Sequence, residues 1–314
     1  MSINIIKSDS LEIFKQNYYL KTDIGFVSSN AYLSIVVTNN CQRACPYCIN
    51  SETDHSLNLP IEKSIANIKK LVNKYNIKEA ILLGGEPLLH PELFELIKRL
   101  RVESGLQMIR LTTNGIRLVN NPDFLLKLID REYGIQGLNI SFHNEEFMTY
   151  SNLSDIYSLI KLHNPNIKVR INTNIWRDNL DLFIDLYSFI TKTSKYCDEM
   201  RISNIIPKDS FSVNDKNPND SLVLSNDQYE SLFTTLIDSY SDNLIIENNL
   251  TLGFVKYVLI ARKTPIIINW NINSKVSDQV CENNIENRQI NTFKCLVNGD
   301  ISLSWNESNI LKAL

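Results

Sequence analysis

The chain has 314 residues, of which 43% are hydrophobic, 21% charged and 9% aromatic, a balance typical of a folded globular protein and not of a disordered or fibrous one. Its net charge of −3 provides no strong positive field for nucleic acid or an anionic membrane surface. The sequence lacks both a run of about 18 apolar residues and an N-terminal secretion signal. We therefore expect a cytoplasmic protein that binds neither nucleic acid nor a membrane.

Short β-type runs alternate with longer helical patterns from residue 31 to about residue 206, which predicts βα units around a parallel sheet. The predicted strands are Leu33–Val37, Ala80–Leu83, Met108–Thr112, Leu138–Phe142, Val169–Thr173 and Met200–Ile205. The predicted helices cover residues 60–75, 91–104, 122–129, 155–163 and 179–191.

The pattern changes after Pro207. Residues 208–220 are polar and indicate a linker, and residues 226–240 and 250–262 are predicted to be helical. Phe293–Trp305 has the pattern of a hairpin that turns at Asn298 and Gly299. We divide the chain into an N-terminal extension (residues 1–32), a core (33–207) and a C-terminal cap (208–314).

One face of the predicted strands is apolar and the other is polar, because successive side chains point to opposite faces. The polar set is Arg110, Thr112, Asn114, Asn139, Ser141, His143, Arg170, Asn172, Asn174, Arg201 and Ser203. A closed eight-stranded barrel fills its interior with branched apolar side chains. The polar set therefore predicts an incomplete barrel, an α/β fold of the partial (β/α)6 TIM-like type with a C-terminal cap. An open antiparallel sheet with one solvent face is the alternative.

Three of the six cysteines, Cys41, Cys45 and Cys48, form a C-x3-C-x2-C run directly after the first predicted strand. Six cysteines are too few for a disulfide scaffold, and clustered thiolates favour zinc or an iron–sulfur cluster. A structural zinc site is normally closed by four protein ligands, and the nearest histidine, His55, lies seven residues further on. The count of three favours a [4Fe–4S] cluster with one iron open, and zinc remains the alternative.

This run, with Tyr47 before the third cysteine and Gly84–Pro87 (GGEP) after the second strand, resembles the radical S-adenosylmethionine (SAM) enzymes over roughly residues 31–206. The resemblance implies that Cys41, Cys45 and Cys48 hold a [4Fe–4S] cluster and that SAM chelates its open iron. Reductive cleavage of SAM would then yield a 5′-deoxyadenosyl radical that abstracts hydrogen from a substrate. An electron donor such as flavodoxin or ferredoxin is implied as a partner.

The resemblance also implies which residues bind SAM. Gly84 and Gly85 would allow a close approach to its methionine moiety, and Glu86 would accept from its ammonium group. The TNG sequence at Thr112–Gly115 is similar to the molybdenum-cofactor cyclase branch. The expected cofactor-binding residues are Tyr47, Gly84, Gly85, Glu86, Pro87, Thr113, Ser141, Arg170 and Asn172. Arg170 would grip the SAM carboxylate with two parallel hydrogen bonds. Each polar residue of this set could instead be a hydrogen-bonded residue of the barrel interior with no role in SAM binding. His143 is a candidate substrate contact.

The remaining cysteines do not predict a second cluster, because Cys281 and Cys295 lack a C-x2-C pattern. Their plainest interpretation is buried thiols, and the alternative is that one of them donates a hydrogen atom to a substrate radical. For the substrate we favour a ribosomal peptide or another natural-product precursor. A small nucleotide, sugar or cofactor precursor is the alternative, and a non-enzymatic zinc-binding module is a third possibility.

Overall fold

A computed structural model describes residues 18–48, 53–143, 147–183, 185–205, 222–225, 227–228, 231–232, 234, 244–249, 254–261, 264–271, 289–303 and 310–311. The predicted linker at 208–220 and Cys281 lie outside the described residues. The predicted helix at 226–240 is described only at five positions, 227, 228, 231, 232 and 234, and these are helical.

The described strands form one sheet in the order β12-β11-β2-β3-β4-β5-β6-β7-β10-β9-β8, with β1 paired to β2. The six neighbouring strands β2 to β7 are all parallel and follow chain order, which confirms the predicted βα series and excludes the antiparallel alternative. The strands are β1 (Tyr19–Thr22), β2 (Gly25–Thr38), β3 (Glu79–Gly84), β4 (Met108–Thr113), β5 (Gly137–Ser141), β6 (Lys168–Ile175), β7 (Glu199–Asn204), β8 (Leu244–Asn249), β9 (Phe254–Ala261), β10 (Thr264–Asn271), β11 (Gln289–Cys295) and β12 (Ile301–Ser302).

Helices connect the central strands. They are α1 (Ile61–Tyr75), α2 (Leu93–Glu103), α3 (Ile116–Val119), α4 (Pro122–Leu128), α5 (Tyr150–His163) and α6 (Leu186–Thr193). The shorter 3-10 turns are Pro87–Leu89, Arg177–Phe183 and Ser194–Tyr196. Among the described residues, no helix combines the length and the apolar composition needed to cross a bilayer.

The two faces of the central strands differ as predicted. Ile109, Leu111, Leu138, Ile140, Val169, Ile171, Met200 and Ile202 are at most 1% exposed and pack with the helices in one core. The polar residues point to the opposite face. The sheet curves around that face, because the Tyr47 ring after β2 lies 4.6 Å from the Trp176 ring after β6, whereas four strand spacings in a flat sheet would span about 19 Å. The result is an α/β partial barrel with a polar interior.

The ends of the chain extend this sheet at both edges. The first core strand begins at Gly25 and not at Leu33, and its first residues pair with β1, so the expected N-terminal extension contributes strand to the barrel. Strand β11 lies parallel to β2, and β10 lies parallel to β7. The predicted hairpin is confirmed by the antiparallel pairing of β11 with β12 and by Gly299, whose φ is +84°.

Two predicted helices are corrected. The helix predicted at 250–262 is wrong over its described residues, because Phe254–Ala261 forms strand β9 between β8 and β10. Its run of β-branched and aromatic residues suits a strand with neighbours on both sides. The helix predicted at 179–191 is divided, because Asp185 accepts a hydrogen bond from the Ser188 N–H and caps a separate helix α6.

Candidate active site

The three motif cysteines lie on one loop, residues 41–48, that follows β2 and is called here the Cys loop. Their thiols are half-buried and form no disulfide bond, and the Arg43 N–H donates to Cys41 Sγ at 3.4 Å. Burial raises the pKa of the Cys41 thiol. Among the described residues, no three His, Cys, Asp or Glu side chains already stand in metal-binding arrangement. Three soft sulfur donors on one short loop, none of them in a disulfide bond, fit the ligands of an iron–sulfur cluster.

The GGEP segment holds the beginning of the Cys loop through backbone contacts. The Gly85 N–H donates to Thr38 O and the Glu86 N–H donates to Asn40 O, each at 2.7 Å. A Cβ on Gly84 would lie 2.2 Å from Thr38 O, and one on Gly85 would lie 2.4 Å from Asn40 O. The two glycines are therefore required by a close approach to the end of β2, whereas the sequence had suggested an approach to SAM.

The Glu86 carboxylate is almost fully buried and joins the ends of β3 and β4. Its Oε1 accepts from the Thr113 hydroxyl at 2.6 Å and from the Leu88 N–H at 3.0 Å, and its Oε2 accepts from the Asn114 N–H at 2.8 Å. Burial raises the pKa of this carboxyl above its usual value. The Thr113 hydroxyl also has two partners within the protein, because it donates to Glu86 and its oxygen accepts a hydrogen bond from the Gly115 N–H. Both side chains, expected to contact SAM, here support the loops around the site.

Replacing Glu86 by Gln should destabilise the fold by about 1–3 kcal/mol, the cost of leaving a buried donor unpaired. A Gln side chain has a single oxygen, so either the Asn114 N–H or the Thr113 hydroxyl would face an NH2 group. Chemical denaturation of the apoprotein measures this loss. The control is Glu103→Gln, an exposed carboxylate on α2, and equal stability of the two variants would contradict the assignment.

Tyr47, His143 and Trp176 form an aromatic cluster beside the Cys loop. The centroid of the Tyr47 ring lies 5.6 Å from that of His143 and 4.6 Å from that of Trp176. His143 Nδ1 accepts from the Asn174 N–H at 3.0 Å, which leaves the proton of the neutral ring on Nε2. Sequence reasoning missed Trp176, although its place directly after a strand with polar alternate residues was a usable signal.

His143 should remain neutral well below pH 6. Burial, followed by the positive charge of Arg43, lowers the pKa of its ring to about 3. A lowered folded-state pKa stabilises the fold above the ordinary value near 6.5, and that contribution is lost as the pH falls from 6.5 toward 3. The pH dependence of the free energy of unfolding tests this, with His143→Gln expected to flatten the loss in this range. Protonation of the ring near pH 6.5, detected by NMR, would contradict it.

The polar interior contains Arg170 and Asn172, but not in the arrangement expected for a SAM carboxylate site. Arg170 Nη2 donates to Glu199 Oε2 at 3.0 Å across β6 and β7. Asn172 lies beside Ser141 and exposes no surface at Oδ1, which has no hydrogen-bond partner among the described residues. Pro87 is buried at the start of a 3-10 turn. The structure thus places Ser141 and Asn172 side by side at the end of β5, whereas Arg170 lies two residues earlier on β6, beside Asn139, and is in an ion pair with Glu199.

Cys295 lies on the helix-covered face of the sheet and not in the interior. It pairs in register with Ile35 and packs in the apolar core, and burial raises the pKa of its thiol to about 12. Cys197 is likewise buried, with a pKa raised to about 12. The placement of Cys295 argues against the hydrogen-donor role considered from the sequence, and supports a buried, inert thiol.

Residues 35–144, which include the Cys loop and GGEP, match the model of the Radical SAM superfamily. Members of that superfamily bind a [4Fe–4S] cluster and SAM.

Similar proteins include the GTP 3′,8-cyclase of Clostridium perfringens (strain SM101 / Type A), which is 31% identical over 172 residues, covering 51% of this chain and 52% of that protein. Molybdenum cofactor biosynthesis protein 1 of Dictyostelium discoideum is 27% identical over 223 residues, covering 67% of this chain and 34% of that protein. The chain thus spans about half the length, or less, of the curated relatives it matches.

The crystal structure of Streptococcus suis SuiB bound to S-adenosylmethionine matches with a TM-score of 0.56 at 13% identity. The match covers 91% of this chain and 64% of that chain. At this identity the likeness concerns the fold alone, and it supports the partial barrel derived above.

Proposed function

We propose that this protein cleaves SAM reductively and uses the resulting 5′-deoxyadenosyl radical to abstract hydrogen from a small nucleotide or a related cofactor precursor. The observation that carries the proposal is the Cys loop, with three thiols that form no disulfide bond. It directly follows Thr38 and Asn40, to which the GGEP backbone donates hydrogen bonds. When bound, the cluster supplies the electron that breaks the carbon–sulfur bond of SAM. The protein provides position, polarity and exclusion of water.

Each part of the site has a proposed task. Cys41, Cys45 and Cys48 would hold the cluster, and the GGEP backbone would fix the loop that presents them. Ser141 and Asn172 would hydrogen-bond SAM from neighbouring positions on β5 and β6. Tyr47 would contact the adenine side of the cofactor as part of the aromatic cluster. Residues 33–207 remain our proposed catalytic core, and residues 208–314 our proposed cap at the substrate entrance.

The relatives favour a nucleotide substrate over the peptide or natural-product precursor preferred from the sequence. The matched relatives include a protein named GTP 3′,8-cyclase and a molybdenum cofactor biosynthesis protein, whereas the likeness to SuiB concerns only the fold. A low-potential electron donor such as flavodoxin or ferredoxin is the proposed partner, because SAM cleavage requires an external electron.

Anaerobic reconstitution with iron and sulfide tests the proposal. We expect a brown protein that forms 5′-deoxyadenosine from SAM when dithionite is added, and faster formation when GTP is present. A protein that binds stoichiometric zinc and forms no nucleoside product would contradict the proposal and support the zinc-binding alternative.

A further inference from the structure

Trp176 follows β6 directly, and hydrogen bonds hold its backbone in place. Its N–H donates to Asn179 Oδ1 at 2.7 Å, and the Asn179 N–H donates back to Trp176 O at 3.1 Å. Asn179 Nδ2 also donates to Asn174 O at 3.0 Å, and Asn179 is only 3% exposed. A buried polar side chain with its hydrogen bonds satisfied makes the backbone around it rigid. Trp176 is therefore a fixed support for the segments that pack on its ring.

The first of these segments is the Cys loop. The centroids of the Tyr47 and Trp176 rings are 4.6 Å apart. Tyr47 lies within the turn that the Cys48 N–H closes by donating to Cys45 O at 3.0 Å, so it stands between two of the proposed cluster ligands. The position of its ring therefore depends on the geometry of those two cysteines.

The second segment is residues 222–225, called here the strap, which is part of the proposed cap. A small apolar cluster, separate from the main core, joins the strap to the aromatic rings. Its buried members are Trp176, Ile205 and Leu222, and Tyr47 and Val223 pack against them. The same cluster thus contains a residue of the Cys loop and residues of the strap.

The strap also has attachments that do not involve the Trp176 ring. Leu224 is 7% exposed and packs in the main core, and Arg177 Nη2 donates to Val223 O at 3.3 Å. Loss of the Trp176 ring should therefore loosen the Leu222 end of the strap without detaching the whole strap.

We propose that Trp176 is a positioning residue that couples the Cys loop to the strap. The inference rests on the proposed function, because the cluster is what fixes the turn between Cys45 and Cys48. A fixed turn holds the Tyr47 ring against Trp176 and so favours the docked strap. Coupling between two sites is reciprocal, so the docked strap also favours the ordered Cys loop. The start of the proposed cap is then ordered in the cluster-loaded protein before substrate arrives.

Hydrogen exchange at the strap, followed by mass spectrometry, tests the inference on the full-length protein. The apoprotein is compared with the anaerobically reconstituted protein, and the cluster should slow exchange at residues 222–225 by about fivefold or more, a usual size for coupling between two sites. In Trp176→Ala the iron content should stay unchanged, because the three thiols are intact, while this slowing disappears. Trp176→Phe, which keeps an aromatic ring, should recover most of it.

Two controls show whether the slowing depends on the cluster and on the Trp176 contact. Cys45→Ala lacks one of the proposed cluster ligands and should show no slowing after the same reconstitution. Leu162→Ala removes an apolar side chain of α5 that is 76% exposed, and it should keep the wild-type slowing.

Leu222→Ala tests the coupling from the side of the strap, in the apoprotein. Removing the Leu222 side chain should speed exchange at residues 45–48 by about fivefold, because the reciprocal effect of the strap on the Cys loop is lost. This variant keeps the inference testable if Trp176→Ala does not fold. Leu162→Ala should leave exchange at residues 45–48 unchanged.

Three results would overturn the inference. They are wild-type protein that binds iron but shows no slowing at the strap, Trp176→Ala that keeps the full slowing, and Leu222→Ala apoprotein with unchanged exchange at residues 45–48. Wild-type protein that binds no iron would instead contradict the proposed function, and iron analysis of the same samples recognises that case. The Leu222→Ala measurement needs no cluster, so it decides the coupling in either case.

Discussion

Replacing Cys45 by Ala is expected to remove both the iron and the proposed SAM-cleaving activity. Two thiols of the Cys loop cannot retain a cluster that requires three, because each thiolate ligates a different iron. The formation of 5′-deoxyadenosine should fall by on the order of a hundredfold or more, since the electron reaches SAM through the cluster. Iron analysis and product quantification after anaerobic reconstitution measure the two losses together.

The control for Cys45 is Cys197→Ala. Cys197 is a buried thiol between α6 and β7 that is only 2% exposed, so its loss should lower stability without affecting iron content. If Cys45→Ala kept its iron and still formed 5′-deoxyadenosine, the ligand assignment would be wrong. If Cys197→Ala lost its iron, the three-cysteine count would be wrong.

Replacing Gly85 by Ala should destabilise the fold by about 3 kcal/mol, the upper end of the usual cost of overpacking. The new Cβ would lie 2.4 Å from Asn40 O and 2.5 Å from Asn39 O, and rigid backbone cannot move aside as a side chain can. For a chain of this size the loss corresponds to a melting temperature lower by roughly 5–10 °C. Because the displaced residues begin the Cys loop, we also expect weaker retention of iron.

Gly105→Ala is the matched control for Gly85→Ala. Gly105 has a φ of +82°, and its nearest neighbour to a new Cβ is Val72 Cγ1 at 3.4 Å, so this variant carries the conformational penalty without the collision. It should cost about 1 kcal/mol and leave iron binding unchanged. If the two variants had equal thermal stability and iron content, the claim that close contact with the end of β2 requires a glycine at position 85 would be wrong.

The central barrel was predictable because apolar and polar residues alternate along each of its strands. Leu111 and Arg110, or Ile171 and Arg170, are neighbours in sequence that must point to opposite faces, so one reading of each strand gave both the core and the interior. The Cys loop was predictable for a similar local reason, since three cysteines within eight positions are typical of a metal-binding site.

The parts that were not predictable depend on contacts between distant segments. Strand β9 looked helical because its apolar pattern is continuous, and only the pairing with β8 and β10 decides its conformation. The hydrogen bonds of Glu86 were not predictable because its partners Thr113 and Asn114 follow another strand. Arg170 looked available for a carboxylate because Glu199, 29 residues further along the chain, is brought beside it only by the register of β6 with β7.

The most direct test of the central claim is electron paramagnetic resonance of the dithionite-reduced, anaerobically reconstituted protein, recorded before and after SAM is added. We predict about four iron atoms per chain in a single cluster, with g-values that change on addition of SAM because the cofactor binds the cluster itself. A protein that holds no such cluster, or whose signal is identical with and without SAM, would contradict the account.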